Sequence, residues 1–128
     1  METNPALGLL GLARRAGKLA CGEDAVREMV AAGKCRAIFL ADDVGEATRR
    51  KVMRHDARVP VFSLDCGRET LGHAIGLSGC AVCAVCDMGL ANAMAQKLRD
   101  TGAQNQTAAA RVAQKKARID GRKGKKKK

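Results

Sequence analysis

Arg36-Ala37-Ile38-Phe39-Leu40-Ala41, followed at once by Asp42-Asp43, is the stretch on which the fold turns. Its apolar residues run on behind one charge without alternating, the pattern of a strand covered on both faces and therefore central to its sheet. Covering both faces requires helices above and below. Downstream, Asp42 and Asp43 are expected to open a helix over Glu46 to His55, and Val59 to Leu64 to form the next strand, with Pro60 tolerated near its start. Asp65 reads as the cap of a helix over Arg68 to Ile75. A loop from Gly76 to Gly79, a buried strand from Cys80 to Cys86 and a helix from Met88 to Leu98 complete the series. Upstream, Asn4 and Pro5 read as N-cap and first turn of a helix that Gly17 ends. Leu19 to Cys21 is a short extended piece, and Gly22 precedes a helix with Glu23 and Asp24 in its first turn and Gly33 as its C-terminal cap. Gly8 and Gly11 each weaken the first helix by about 1 kcal/mol relative to Ala, so both are expected to face a close backbone. Strand and helix alternate throughout, which predicts a three-layer α/β/α sandwich with a small mixed sheet.

The 128 residues suffice for one core and not for two. The net charge of +11 favours a polyanionic partner. Residues 100–128 hold ten basic and two acidic side chains, against 14 and 11 in residues 1–99, so most of the excess lies at the C-terminal end. That end is poor in large apolar residues, and the expectation is a domain over 1–99 followed by a disordered Lys/Arg-rich tail over 100–128. Its cations Lys115, Lys116, Arg118, Arg122, Lys123, Lys125, Lys126, Lys127 and Lys128 are expected to make nonspecific phosphate contacts, with Ala108 to Ile119 turning helical on RNA. The apolar run Ala6 to Ala13 is too short to span a membrane and has no basic segment before it, so no membrane role and a cytoplasmic location are expected. In that compartment the six cysteines are expected to be thiols.

Few groups suggest chemistry. Cys80-x-x-Cys83-x-x-Cys86 has the opening spacing of a ferredoxin cluster run, but lacks the fourth Cys and the Pro. In a continuous strand Cys83 would face away from Cys80 and Cys86, so buried thiols are the expectation. His55 and His73 have no sequence partner for a nucleophile or a zinc set. No cofactor, no metal and no catalytic residue is assigned. Asp42 and Asp43 are read as capping residues, and Arg49, Arg50, Lys51 and Arg54 as a solvated helix face. Glu23 and Asp24 fit a helix start and a ligand contact equally. The only aromatics are Phe39 and Phe62, which speaks against base-stacking platforms and for recognition of backbone and shape.

Three strings resemble the kink-turn-binding family of ribosomal proteins. They are Gly22-Glu23-Asp24 with the helix ending at Ala32-Gly33-Lys34, Arg36 to Val44, and Val59-Pro60-Val61 through Leu71-Gly72-His73-Ala74-Ile75-Gly76-Leu77. Gly11-Leu12-Ala13-Arg14-Arg15-Ala16-Gly17-Lys18 is similar to the YlxQ-like bacterial branch. The resemblance implies a noncatalytic protein that binds structured ribosomal or other noncoding RNA, and a monomer is expected. It also implies the contacts: Gly22, Glu23 and Asp24 at sheared G·A pairs, and Leu77, Ser78 and Gly79 over an extruded nucleotide. Arg14, Arg15, Lys18 and Arg36 would be nearby phosphate contacts. Where strong kink-turn readers carry Asn-Glu and then Lys, this chain has Asp24, Ala25 and Glu28, with Arg27 as the neighbouring cation, about 100° around the helix from Glu28. Two alternatives stay open: a cysteine-based redox or Fe–S protein, and a protein adaptor of the ribosome or of transcription and translation factors.

Overall fold

The computed structural model describes residues 5–126, with side chains over 6–121. In chain order the elements are α1 (Pro5–Arg15), β1 (Leu19–Cys21), α2 (Glu23–Ala31), β2 (Ala37–Leu40), α3 (Glu46–Met53), β3 (Val61–Ser63), α4 (Arg68–Ala74), β4 (Val82–Val85), α5 (Met88–Leu98) and α6 (Ala103–Lys126). The four strands form one sheet in the order β1-β4-β2-β3, with β4 antiparallel to both neighbours and β2 parallel to β3. The ends of β1, β2 and β3 therefore share one edge of the sheet with the start of β4. Their starts share the opposite edge with the end of β4. Which edge a residue occupies decides what it can do.

Alternation along β2 sends Ala37, Phe39 and Ala41 to one core, with α1, α4, α5 and α6, and Ile38 and Leu40 to the other, with α2 and α3. This is the expected sandwich. Both phenylalanines lie in the first core, their rings stacked at 5.4 Å between centroids, so the chain presents no aromatic platform to solvent. At full burial each such ring is worth about 2–3 kcal/mol. The close approach expected at Gly11 is present: a Cβ there would stand 2.8 Å from the Ala74 carbonyl oxygen, whereas one at Gly8 would meet nothing within 4 Å. Asn4 lies outside the described residues.

Three expectations are corrected. First, the helix after β2 is preceded by Gly45 and has no side-chain cap. Asp43 instead reaches across 25 residues to accept the Arg68 backbone N–H at 2.8 Å, at the start of α4. Second, β4 begins only at Val82, so Cys80 escapes strand alternation and joins Cys83 in the same core.

Third, the boundary at residue 100 does not separate core from tail. α6 is a helix, and Ala108, Ala109 and Val112 are buried in the first core. Its opening residues also complete the sheet. The Ser63 N–H donates to Asn105 Oδ1 at 2.8 Å, Asn105 Nδ2 donates to the Ser63 carbonyl at 2.8 Å, and Gln104 Nε2 donates to the Val61 carbonyl at 2.9 Å. Two amide side chains thus stand in for the strand that edge strand β3 lacks, and Asn105 is only 2% exposed. The helix that was expected only on RNA is already formed by the docking of its first turns.

Candidate nucleic-acid interface

Gly22 ends β1 and opens α2 with φ 94°, ψ 159°, a conformation that side chains disfavour. Its N–H is held by the Val82 carbonyl at 2.9 Å. No side chain caps α2, so the helix start presents backbone donors outward. The two acids there turn aside, Glu23 to Lys51 of α3 at 3.6 Å and Asp24 to Arg27 at 3.2 Å.

The loop before β4 is built from small residues held on α4. Gly76 turns it at φ 80°, the Leu77 N–H donates to the Gly72 carbonyl at 2.8 Å, and the Cys80 N–H donates to the Arg68 carbonyl at 3.0 Å. Gly72 is the residue that permits this, because a Cβ there would lie 2.5 Å from the Gly79 Cα. Ser78 and Gly79 are exposed. Since Cys21 pairs with Cys83 and Gly22 bonds Val82, the turn and the loop are neighbours on one edge of the sheet.

Beneath them lies a small thiol cluster. The Cys80 thiol donates to the Val82 carbonyl at 3.2 Å. The Cys83 thiol, hydrogen-bonded to Cys80, holds the latter below the usual thiol range against the effect of its burial. Cys83 moves the other way, raised by the same bond and by complete burial. Burial pushes Cys66 up to about 11 and Cys35 up to about 12, and raises Cys21. No group of three or more His, Cys, Asp or Glu among the described residues is arranged to hold a metal ion.

The structure brings Gly22 and the start of α2, with Glu23 and Asp24, beside Leu77, Ser78 and Gly79, while Arg27 lies one turn further along α2, paired with Asp24. Arg14 and Arg15 lie against the loop's base, where Arg14 Nη1 donates to the Ile75 carbonyl. Two expected phosphate contacts are elsewhere. Lys18 precedes β1, where its carbonyl accepts from the Cys86 N–H, and Arg36 precedes β2, so both stand at the opposite sheet edge. Parallel strands put their starts together, which proximity in sequence does not reveal. Lys115, Lys116 and Arg118 lie on α6, whose path along β3 carries them away from the turn and loop. The side chains of Arg122, Lys123 and Lys125 to Lys128 lie outside the described residues. Sequence reasoning missed Gly72. Its quoted string contained the residue, but only the loop's approach to α4 shows what it does.

A three-layer sandwich with a mixed four-stranded sheet, offering an uncapped helix start and a glycine loop side by side, defines an α/β/α binding domain. The chain belongs to the ribosomal protein L7Ae/L30e/S12e/Gadd45 family, whose model matches residues 6–95. It is 36% identical over 86 residues to the RNA-binding protein YlxQ of Bacillus subtilis, covering 66% of this chain and 85% of that one. The solved structure of a protein of unknown function from Bacillus halodurans C is 32% identical, with a TM-score of 0.72 over 77% of this chain and all of that one. A Giardia lamblia 15.5kD RNA binding protein shares the fold at a TM-score of 0.57 and 20% identity, over 72% of this chain and 80% of its own. The match to the family model ends before α6, which is why the resemblance held no information about that helix.

Proposed function

We propose that the chain is a noncatalytic RNA-binding protein that grips structured RNA between the turn opening α2 and the loop 77–79. The observation that supports this most is the adjacency of two segments, read separately in the sequence, on one sheet edge with backbone donors turned outward. Helix-start N–H groups suit phosphate and base acceptors, and glycines admit a nucleotide close to the backbone. The name of the Bacillus subtilis relative points the same way. An RNA with tandem sheared G·A pairs beside an internal loop is the preferred form, with Gly22, Glu23 and Asp24 at the pairs and Leu77, Ser78 and Gly79 over an unstacked nucleotide. Arg14 and Arg15 bind the flanking phosphates.

The test compares binding to a 24-base-pair RNA duplex with binding to the same duplex carrying that internal loop. Wild type prefers the looped RNA at least tenfold. Ser78→Glu places an anion in the loop, and that preference disappears. Asp24→Asn removes a negative charge beside the bound phosphates and frees Arg27, which Asp24 otherwise holds at 3.2 Å. One charge at about 5 Å in water is worth about 0.8 kcal/mol, so affinity rises about fourfold. Equal affinity of wild type for the two RNAs would sink the proposal.

A further inference from the structure

Away from the turn and loop, at the opposite sheet edge, basic side chains from three parts of the chain close around a cavity of about 260 Å³. Arg36 stands before β2 and Arg58 before β3, while Arg111, Lys115 and Arg118 line up on α6 at spacings of four and three residues, one face of that helix. Pro60 and Val112 give the cavity part of an apolar lining. Arg111 alone has an acidic partner: Nη1 lies 3.1 Å from Asp56 Oδ1, and Nη2 donates to the Asp56 carbonyl at 2.6 Å. Arg36, Arg58, Lys115 and Arg118 make no ion pair among the described residues.

Gathering these cations costs the folded chain their mutual repulsion, and the docking of α6 imposes that cost. Asn105 and Gln104 fix the helix to β3, and Val112 buries its side between the basic stripe and the core. The backbone positions that carry the cations are therefore fixed before any ligand arrives. A multiply charged anion with oxygens spaced along a backbone relieves the repulsion, and guanidinium forks match phosphate oxygens in pairs. A protein partner needs an apolar anchor, and the only large hydrophobic side chain exposed among the described residues is Leu12, on α1 and not in this cavity.

We infer that this cavity is a second RNA site, where Arg36, Arg58, Lys115 and Arg118 take backbone phosphates of a helical arm irrespective of its sequence. The inference rests on the reading that the chain binds RNA, and adds a surface that the turn and loop do not supply. Strands of three or four residues span only about 10–13 Å, so one RNA that leaves the first site as a helix reaches the second by following the body of the protein.

The same two RNAs test it, with Arg58→Glu/Arg118→Glu as the variant. Both side chains are exposed, and thermal melting checks that the fold is kept. Each phosphate contact contributes about 0.7–0.9 to the slope of log affinity against log salt, so losing two lowers the slope by about 1.4–1.8 for either RNA. Affinity for the plain duplex falls at least tenfold, while the preference for the looped RNA is unchanged. Arg58→Lys/Arg118→Lys retains most of the slope. An unchanged slope and affinity for the plain duplex in the Glu variant overturns the inference. So does a polyglutamate peptide that binds wild type at this cavity and that RNA fails to displace. Failure of the first site reads differently, because wild type then shows no preference for the looped RNA while its binding to the plain duplex still reports on the cavity.

Discussion

Asn105→Ala measures how far α6 is part of the fold. The Asn105 side chain makes three hydrogen bonds, two with the Ser63 main chain at 2.8 Å and one to Thr101 Oγ1 at 2.6 Å. Truncation leaves the Ser63 N–H and carbonyl without partners beneath a helix. An unsatisfied buried polar group costs about 1–3 kcal/mol. Ser63 is half-buried, so water recovers part of that for each group, and the low end applies to both. Alanine returns about 0.6 kcal/mol through its better helix propensity. The net loss is about 1.4 kcal/mol, or roughly 4–7 °C in Tm for a domain of this size. Thermal unfolding followed by circular dichroism, together with urea denaturation, reads it directly. Asn105→Asp keeps the acceptor but loses the donor at neutral pH, and restores at most one of the two bonds to Ser63. If residues after 100 were only a solvated appendage, Asn105→Ala would fall within about 0.5 kcal/mol of wild type, as surface substitutions do. A Tm within 2 °C of wild type refutes the docking.

Gly72→Ala drives a Cβ to within 2.5–2.8 Å of three Gly79 backbone atoms, and overpacking of that kind costs about 1–3 kcal/mol against about 1 kcal/mol of helix propensity gained. The variant unfolds at a lower temperature and binds RNA less tightly because the loop is displaced. Gly8→Ala, with nothing within 4 Å of the new Cβ, instead raises stability by up to about 1 kcal/mol, so opposite signs in two melting curves check both sites. Stability also falls in alkali: Cys35 near 12 and Cys66 near 11 keep protons that the unfolded chain releases near 9, so their contribution is complete below pH 9 and is lost as pH rises through 11 to 12. In Cys35→Ala the decline between pH 9 and 12 is shallower by up to one proton, as denaturant midpoints at each pH report.

Much of the molecule was legible from local pattern. The unbroken apolar run of β2 revealed its two covered faces, and Met88 to Leu98 appeared as a helix with the observed bounds, started by Asp87 accepting the Leu90 N–H at 2.9 Å. Gly17, Gly22, Gly33 and Gly76 stand at element ends with positive φ, so turns could be placed residue by residue. These signals are local because they arise from backbone sterics and side-chain period within one segment. The turn at Gly22 and the loop after Gly76 were placed by the same glycines, while their joint role as a binding site was implied by the family resemblance.

What the tertiary structure alone decided is pairing between distant segments. Asp43 caps α4 rather than α3, Cys80 falls on the side of Cys83, and Arg36 leaves the neighbourhood of Gly22 because β1 and β2 point the same way from one edge. The largest gap was α6, whose run of Ala, Gln and Asn has too little apolar surface to announce burial. It docks because two of its amides match the unpaired edge of β3, which lies some forty residues earlier in the chain. Hydrogen-bond complementarity of that range leaves no period in either segment, so composition reads a tail where the folded chain holds a helix and, beside it, a cavity lined with arginine and lysine.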